Sequence, residues 1–372
     1  MFACNRSNSL VLLGFLTLAL SVPARGQAVG SPGLGESASA ETAAPPQPIE
    51  WPAANVPADA AWYIQAHIER IAHDPFVAKL GQSLDKSVRD EILDKFRGAP
   101  PIDVMHHRVS EILGFDPLEN VEWVTVYGMA SPLDEMRGLG KRRLRVVDAT
   151  GVVVVQLRGT TGNLEGLALA TPDYESAEYK GATIHSGTVN NAPGRVFIAV
   201  LKRPEGESNL VVFGMSEDHV RKAVDQATNA TPASSGSMER ENVLCGIGMK
   251  LDEKTMRALN IPKQQSAAFK MLKATAAIVK TDDASLVIEI RAFLVDEQRA
   301  EQVRQLLEGL VAMAQLHLET HEGTGNDMNE DEKQLVSGML ETVAISRDGS
   351  RVTCRLSAPQ DQLLRAVGNL KK

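Results

Sequence analysis

The sequence predicts an α+β fold: two similar halves, each an antiparallel sheet with helices packed on one face. Three observations predict it. Many segments alternate apolar and polar residues with period two, the strand signature, and these are interleaved with segments of three-and-four spacing, the helix signature. Tight-turn signals such as Asp348-Gly349 join neighbouring strand segments as hairpins. The order strand, helices, hairpin, helix, hairpin, helix occurs loosely twice, and segregated helices and antiparallel strands make an α+β architecture.

The elements follow in order. A strand near Ala61–Ala66 opens the folded part. Asp74-Pro75 and Asp103 are helix openers, because aspartate caps the first free amides and proline suits the first helical position. Gly114 ends the third helix of this stretch. Val121–Tyr127 and Gly151–Leu157 are strands, followed by a short helix over 163–171 and strands near 180–186, 195–202 and 208–214. Ser216 caps a helix to about residue 227. Small polar residues and turn formers over 229–240 mark a linker between a first half, 51–228, and a second, 241–372. The second half reads as a strand over 242–251, helices near 252–260 and 265–273, and a hairpin of Ala274–Lys280 with Ser285–Leu294. Helices at 297–321 and 330–341, the Asp348-Gly349 hairpin and a last helix at about 360–370 complete it.

The first 26 residues carry an export signal. Arg6 precedes the apolar run Leu10–Leu20, then Pro23 and the small residues Ala24 and Gly26, the pattern of a cleavable signal peptide. The run is shorter than the roughly 20 residues of a spanning helix, and no later stretch is long and apolar enough. The chain is thus expected in the periplasm or outside the cell, with no transmembrane span after cleavage. Residues 27–50, rich in Gly, Ser, Ala, Pro and Glu, read as a disordered tether.

Composition narrows function. A net charge of −8 argues against a general nucleic-acid binder, which needs a concentrated basic surface. Aromatic content of 4% weakens carbohydrate-groove and base-stacking readings. Two cysteines follow the signal segment, Cys245 and Cys354, both on alternating strands with the thiols expected to face the core. Two readings stay open: buried free thiols, or one bridge across the second half.

Several stretches are similar to a broad group of exported bacterial proteins of unknown function. They are Val56–Trp62, the strand start Tyr179–His185, Asn209–Gly214 leading to Ser216, and Ala292–Gln298 opening the long helix. The resemblance implies secretion and an α+β fold, and carries no catalytic residues.

Candidate chemistry is sparse. His317 and His321 stand four apart on a helix and could bind a transition metal. Leu318 takes the place of the glutamate that a zinc-protease motif needs, so that chemistry is excluded. The pair also continues the apolar stripe of Val303, Leu307, Leu310 and Ala314, and a helix C-terminus favours histidine in any case. Asp327–Glu332 begins like a calcium loop, but Glu332 and Gly338 stand where glycine and glutamate belong. His106 and His107 read as surface residues. No nucleophile elbow, dinucleotide fingerprint or phosphate loop is present. Arg137, Lys141, Arg142, Arg143 and Arg145 cluster between two strands, as a solvated loop or a dock for an anionic partner. The pattern points to a non-enzymatic exported binding or scaffold module without a cofactor, whose partner would be an envelope component or another exported protein. The alternatives are metal binding through His317 and His321, and carriage of an apolar ligand.

Overall fold

The computed structural model describes residues 51, 53, 55–83, 102–129, 151–189, 194–203, 208–229, 242–251, 271–282, 284–320 and 330–369. Its strands are β1 (Trp62–His67), β2 (Val121–Gly128), β3 (Gly151–Leu157), β4 (Glu175–Tyr179), β5 (Ala182–Thr188), β6 (Arg195–Leu201), β7 (Asn209–Gly214), β8 (Val243–Lys250), β9 (Leu272–Thr281), β10 (Ser285–Leu294), β11 (Ala344–Asp348) and β12 (Arg351–Pro359). The helices are α1 (Ile68–His73), α2 (Pro75–Ser83), α3 (Ile102–Leu113), α4 (Pro117–Asn120), α5 (Leu164–Leu169), α6 (Glu217–Asn229), α7 (Glu297–Thr320), α8 (Glu330–Glu341) and α9 (Gln360–Asn369).

All twelve strands form one antiparallel sheet in the order β11-β12-β10-β9-β8-β1-β2-β3-β7-β6-β5-β4. The fold is α+β. β8–β12 and β1–β7 meet where β1 pairs with β8, Ile64 opposite Ile247. Residues Pro48–Lys372 cluster as one unit.

Helix starts follow local chemistry. Asp74 accepts from the amides of Phe76 at 2.8 Å and Val77 at 3.1 Å, with Pro75 first in α2. Asp296 accepts from the Arg299 amide at 2.7 Å and caps α7. Gly114, at φ +74°, ends α3 in the left-handed conformation that suits glycine.

The strand expected near 180–186 is instead half of a hairpin. Lys180 (φ 50°) and Gly181 (φ 81°) form its two-residue turn, and β4 precedes them. β4 reads Glu-Ser-Ala-Glu-Tyr and lacks both alternation and β-branched residues, so only its pairing with β5 makes it a strand. The helix expected over 265–273 likewise gives way at its end, since Leu272 already pairs with Leu294 in β9–β10.

The helices divide between the two faces. On the first face, Val220, Ala223, Val224 and Ala227 of α6 seal a core with Val152, Val154, Ala199, Leu210 and Val212. Trp51, Ala53, Val56 and Ala60 extend that core across the β1–β8 seam onto Tyr63. Gly248 is required there: a Cβ would lie 2.2 Å from the Tyr63 ring and 2.9 Å from Trp51. On the second face, Leu164 of α5 and Phe115 cover Leu157, Val200 and Val211. α7 lays Ala300, Val303 and Leu307 over Leu294, Ala292, Val352 and Ile345.

The first face also buries charge. Arg291 Nε lies 2.5 Å from Glu289 Oε1, and Lys280 Nζ lies 3.2 Å from Glu289 Oε2.

Candidate functional site

Between the areas covered by α5 and α7, the described residues leave part of the second face of the sheet exposed. Cross-strand partners point to the same face, so the register traces a row of side chains across the molecule. It runs Phe213, Val153, Val126, Ile64, Ile247, Ala277, Ile290 and Cys354. A parallel row holds Val124, Ala66, Cys245, Val279 and Ile288. Phe213 is packed at one end under the cluster that includes Leu164, and Cys354 pairs with Ile345 near α7. At the middle, Ile64 is 43% exposed and Ile247 53% exposed. Their neighbours Val126, Val153, Ala277 and Ile290 are half-buried.

No residue in these two rows carries a charge, and the peptide groups beneath them are engaged in the sheet ladder. Whatever covers the strip is therefore held by apolar contact rather than by hydrogen bonds. Scattered exposed aliphatics need no explanation, whereas a contiguous apolar patch marks a binding surface.

Cys245 and Cys354 both lie on this face as free, half-buried thiols. Burial raises the pKa of each. They are not bridged, because β9 and β10 stand between their strands. Three strand spacings amount to roughly 14 Å, against the Cα separation of about 7 Å that a disulfide tolerates at most. A bulge between Val243 and Cys245 shifts Cys245, Ile247 and Met249 off the face that Val243 shares with Ile278 and Trp123. That shift explains why Cys245 does not enter the closed core expected from simple alternation.

The other sequence candidates are not brought into this strip. His317 belongs to the last turns of α7, but its side chain, and all of His321, lie outside the described residues. Arg137, Lys141, Arg142, Arg143 and Arg145 lie outside them too, as does the Asp327–Asn329 start of the calcium-like segment. His107 is exposed and sits 3.2 Å from Glu111 on α3. Among the described residues, no group of three or more His, Cys, Asp or Glu is placed to hold a metal ion. No helix among them is long and apolar enough to cross a membrane.

A small cleft on the first face is lined by Pro57, Asp59, Tyr127, Met129, His219 and Lys222. Its volume of about 20 Å³ is room for one water-sized group.

The open strip was invisible to sequence reasoning. Ile64 and Ile247 occupy alternating apolar positions like any core residue.

No family model matches this chain, and no curated protein matches it. Solved structures of the protein TP0453 align over most of its length. Crystal form III shares 11% identity, covering 83% of this chain and 94% of that chain, with a TM-score of 0.32. Form IV shares 8% identity over 83% and 93%, TM-score 0.36. Form I shares 11% over 84% and 94%, TM-score 0.29. Likeness at this level transfers neither fold nor function to this chain.

Proposed function

We propose that this chain is an exported, non-enzymatic binding module, and that the open strip around Ile64 and Ile247 takes the apolar part of a ligand. The export reading rests on Arg6, the Leu10–Leu20 run and the small residues after Pro23. The observation that carries the binding reading is the exposure of two isoleucines at the centre of an uncharged row, flanked by areas that helices already cover. A row of isoleucine, valine and alanine presents no nucleophile, acid or base apart from Cys245 and Cys354, whose thiols burial keeps protonated. Such a surface binds but does not transform.

The test is a fluorescence titration of the purified chain with 1-anilinonaphthalene-8-sulfonate, repeated on Ile64→Gln/Ile247→Gln. Saturable binding is expected in the parent. It should fall by at least about tenfold in the variant, since a polar side chain at both positions removes about 1.4 kcal/mol or more of apolar contact. Thermal midpoints should agree within a few degrees, as expected for substitution at exposed positions. Absence of saturable binding in the parent, or equal binding in the variant, refutes the reading.

A further inference from the structure

One end of β1 carries a polar junction on the first face. His67, the last residue of β1, stacks on Trp123 of β2, with ring centroids 4.3 Å apart and planes 4° from parallel. On the other side of β1, the His67 ring is hydrogen-bonded to the backbone of Val243, the first residue of β8. The side chain thus ties together the strands on both sides of β1. It also stands at the start of α1, where it makes no side-chain capping bond. The next links fasten the same corner. Arg70 Nη2 of α1 donates to Asn242 Oδ1 at 2.5 Å, and the Thr281 amide donates to the Asn242 carbonyl at 2.9 Å. Thr281 Oγ1 donates to Asp74 at 2.9 Å. Asn242 itself is in the left-handed region, at φ 72°, a sparsely populated conformation that its surroundings must hold.

His67 Nδ1 is buried and has no hydrogen-bond partner among the described residues. The bond to Val243 is therefore made by Nε2. A neutral ring leaves Nδ1 as an unpaired acceptor. A second proton turns it into a charged donor with nothing to receive it, which costs more. The carboxylates near the ring are Glu69 on α1 and Glu122 on β2, and both are already engaged. Arg158 of β3 donates twice to Glu69, at 2.7 Å each, and once to Glu122 at 3.1 Å. Arg70 faces the ring as a like charge. Farther out, His73 of α1 pairs with Glu119 of α4, Asp74 ahead of α2 accepts from Thr281, and Lys280 of β9 pairs with Glu289. Burial is the largest influence on the ring and opposes its charge. Glu69, the Val243 bond and Glu122 favour the charge, Arg70 opposes it, and the net effect lowers the pKa from its ordinary value of about 6.5. The indole face of Trp123 also attracts an imidazolium, so the measured midpoint decides between opposite signs.

We propose that His67 is an acid-released latch of the β1–β8 junction. The neutral ring clasps Trp123 and Val243 across β1. The protonated ring leaves the Trp123 stack for water, and α1 and the start of β8 lose their clasp. The sign follows from linkage. The contribution of the neutral ring is complete above the unfolded value of about 6.5 and is lost as pH falls through the folded value. Histidine is the side chain whose ordinary titration lies in the range of environmental pH that an exported chain meets. The latch is on the first face, so it works whatever the isoleucine strip on the second face binds.

The experiment is a pH titration of the full chain, read by carbon-labelled histidine resonances and by native-state hydrogen exchange. The His67 signal is the one missing from His67→Phe, which keeps a stacked ring and cannot take a proton, or from His67→Gln should the first variant not fold. It is expected to titrate below about 6.5. Below its midpoint, amides of α1 and of residues 242–245 should exchange at least about tenfold faster relative to their intrinsic rates, while those of β5–β7 stay protected. In urea unfolding, the folded-to-unfolded ratio should fall severalfold more in the parent than in His67→Phe between about pH 7.5 and about pH 5. A His67 ring that titrates at or above about 6.5 overturns the proposal. So does exchange at α1 and residues 242–245 that is unchanged below the midpoint, or a His67→Phe chain with the pH dependence of the parent. The exchange is read on the parent and decides even if neither variant folds.

Discussion

Replacing Glu289 by glutamine tests how the first face tolerates charge. The carboxylate is 9% exposed and is held between Arg291, itself 6% exposed, and Lys280 on the neighbouring strand. Glutamine keeps the shape but withdraws the charge that balances the Arg291 guanidinium. Removing one partner of a buried pair costs about 3–5 kcal/mol, because the remaining charge stays in a poorly solvating site. In a unit of this size the thermal midpoint should drop by roughly 4–7 °C. Replacing both members, Glu289→Met/Arg291→Met, removes the two desolvation costs together and should fall within about 1–2 kcal/mol of the parent. Lys280 is the most exposed of the three at its side chain and can turn to water. The assay is urea unfolding of the parent, Glu289→Gln, Glu289→Met, Arg291→Met and the double methionine variant, the methionine set being read as a double-mutant cycle. The same set predicts pH behaviour. Burial opposes the Glu289 charge, but the bonds and charges of Arg291 and Lys280 outweigh it and hold the carboxyl below the usual range. A depressed carboxylate stabilises the fold above its unfolded value of about 4.3, and that contribution is lost as pH falls through the folded value. The double variant should therefore lose less stability on acidification than the parent. A Glu289→Gln cost under about 1 kcal/mol, or a double variant as damaged as the single, would refute the argument.

Two further outcomes follow from the packing. Gly248→Ala places a methyl group against Tyr63 and Trp51 and should cost about 1–3 kcal/mol in urea unfolding, since overpacking forces both rings to move; a neutral result would mean that the Trp51 segment yields freely. Cys245 and Cys354 should react slowly with a thiol reagent in the native chain, because burial raises both pKa values, and quickly in denaturant without prior reduction; a demand for reductant would show that they are bridged.

Elements with strong local chemistry were legible. The Asp74-Pro75 start and the Gly114 stop each depend on a few adjacent residues and stand where the sequence implies, and the hairpin expected at Asp348-Gly349 turns one residue on, at Gly349-Ser350. β4 was not legible, because an edge strand of glutamates and small residues has no local drive and forms by pairing with β5. The bulge before Cys245 was equally hidden. One extra residue reverses which face a side chain takes, and it is fixed by the partner strand.

The amino-acid sequence by itself determined the α+β class and the position of most elements. These follow from short-range periodicity and capping, which act within a turn or two of chain. Only the tertiary structure decided that all twelve strands join in one sheet, with Ile64 against Ile247 at the junction. It also decided which apolar residues lie under helices and which stay open. Ile64, Ile247, Leu306 and Met313 have the same chemistry as their buried neighbours. What separates them is whether another segment, distant in sequence, is packed over them.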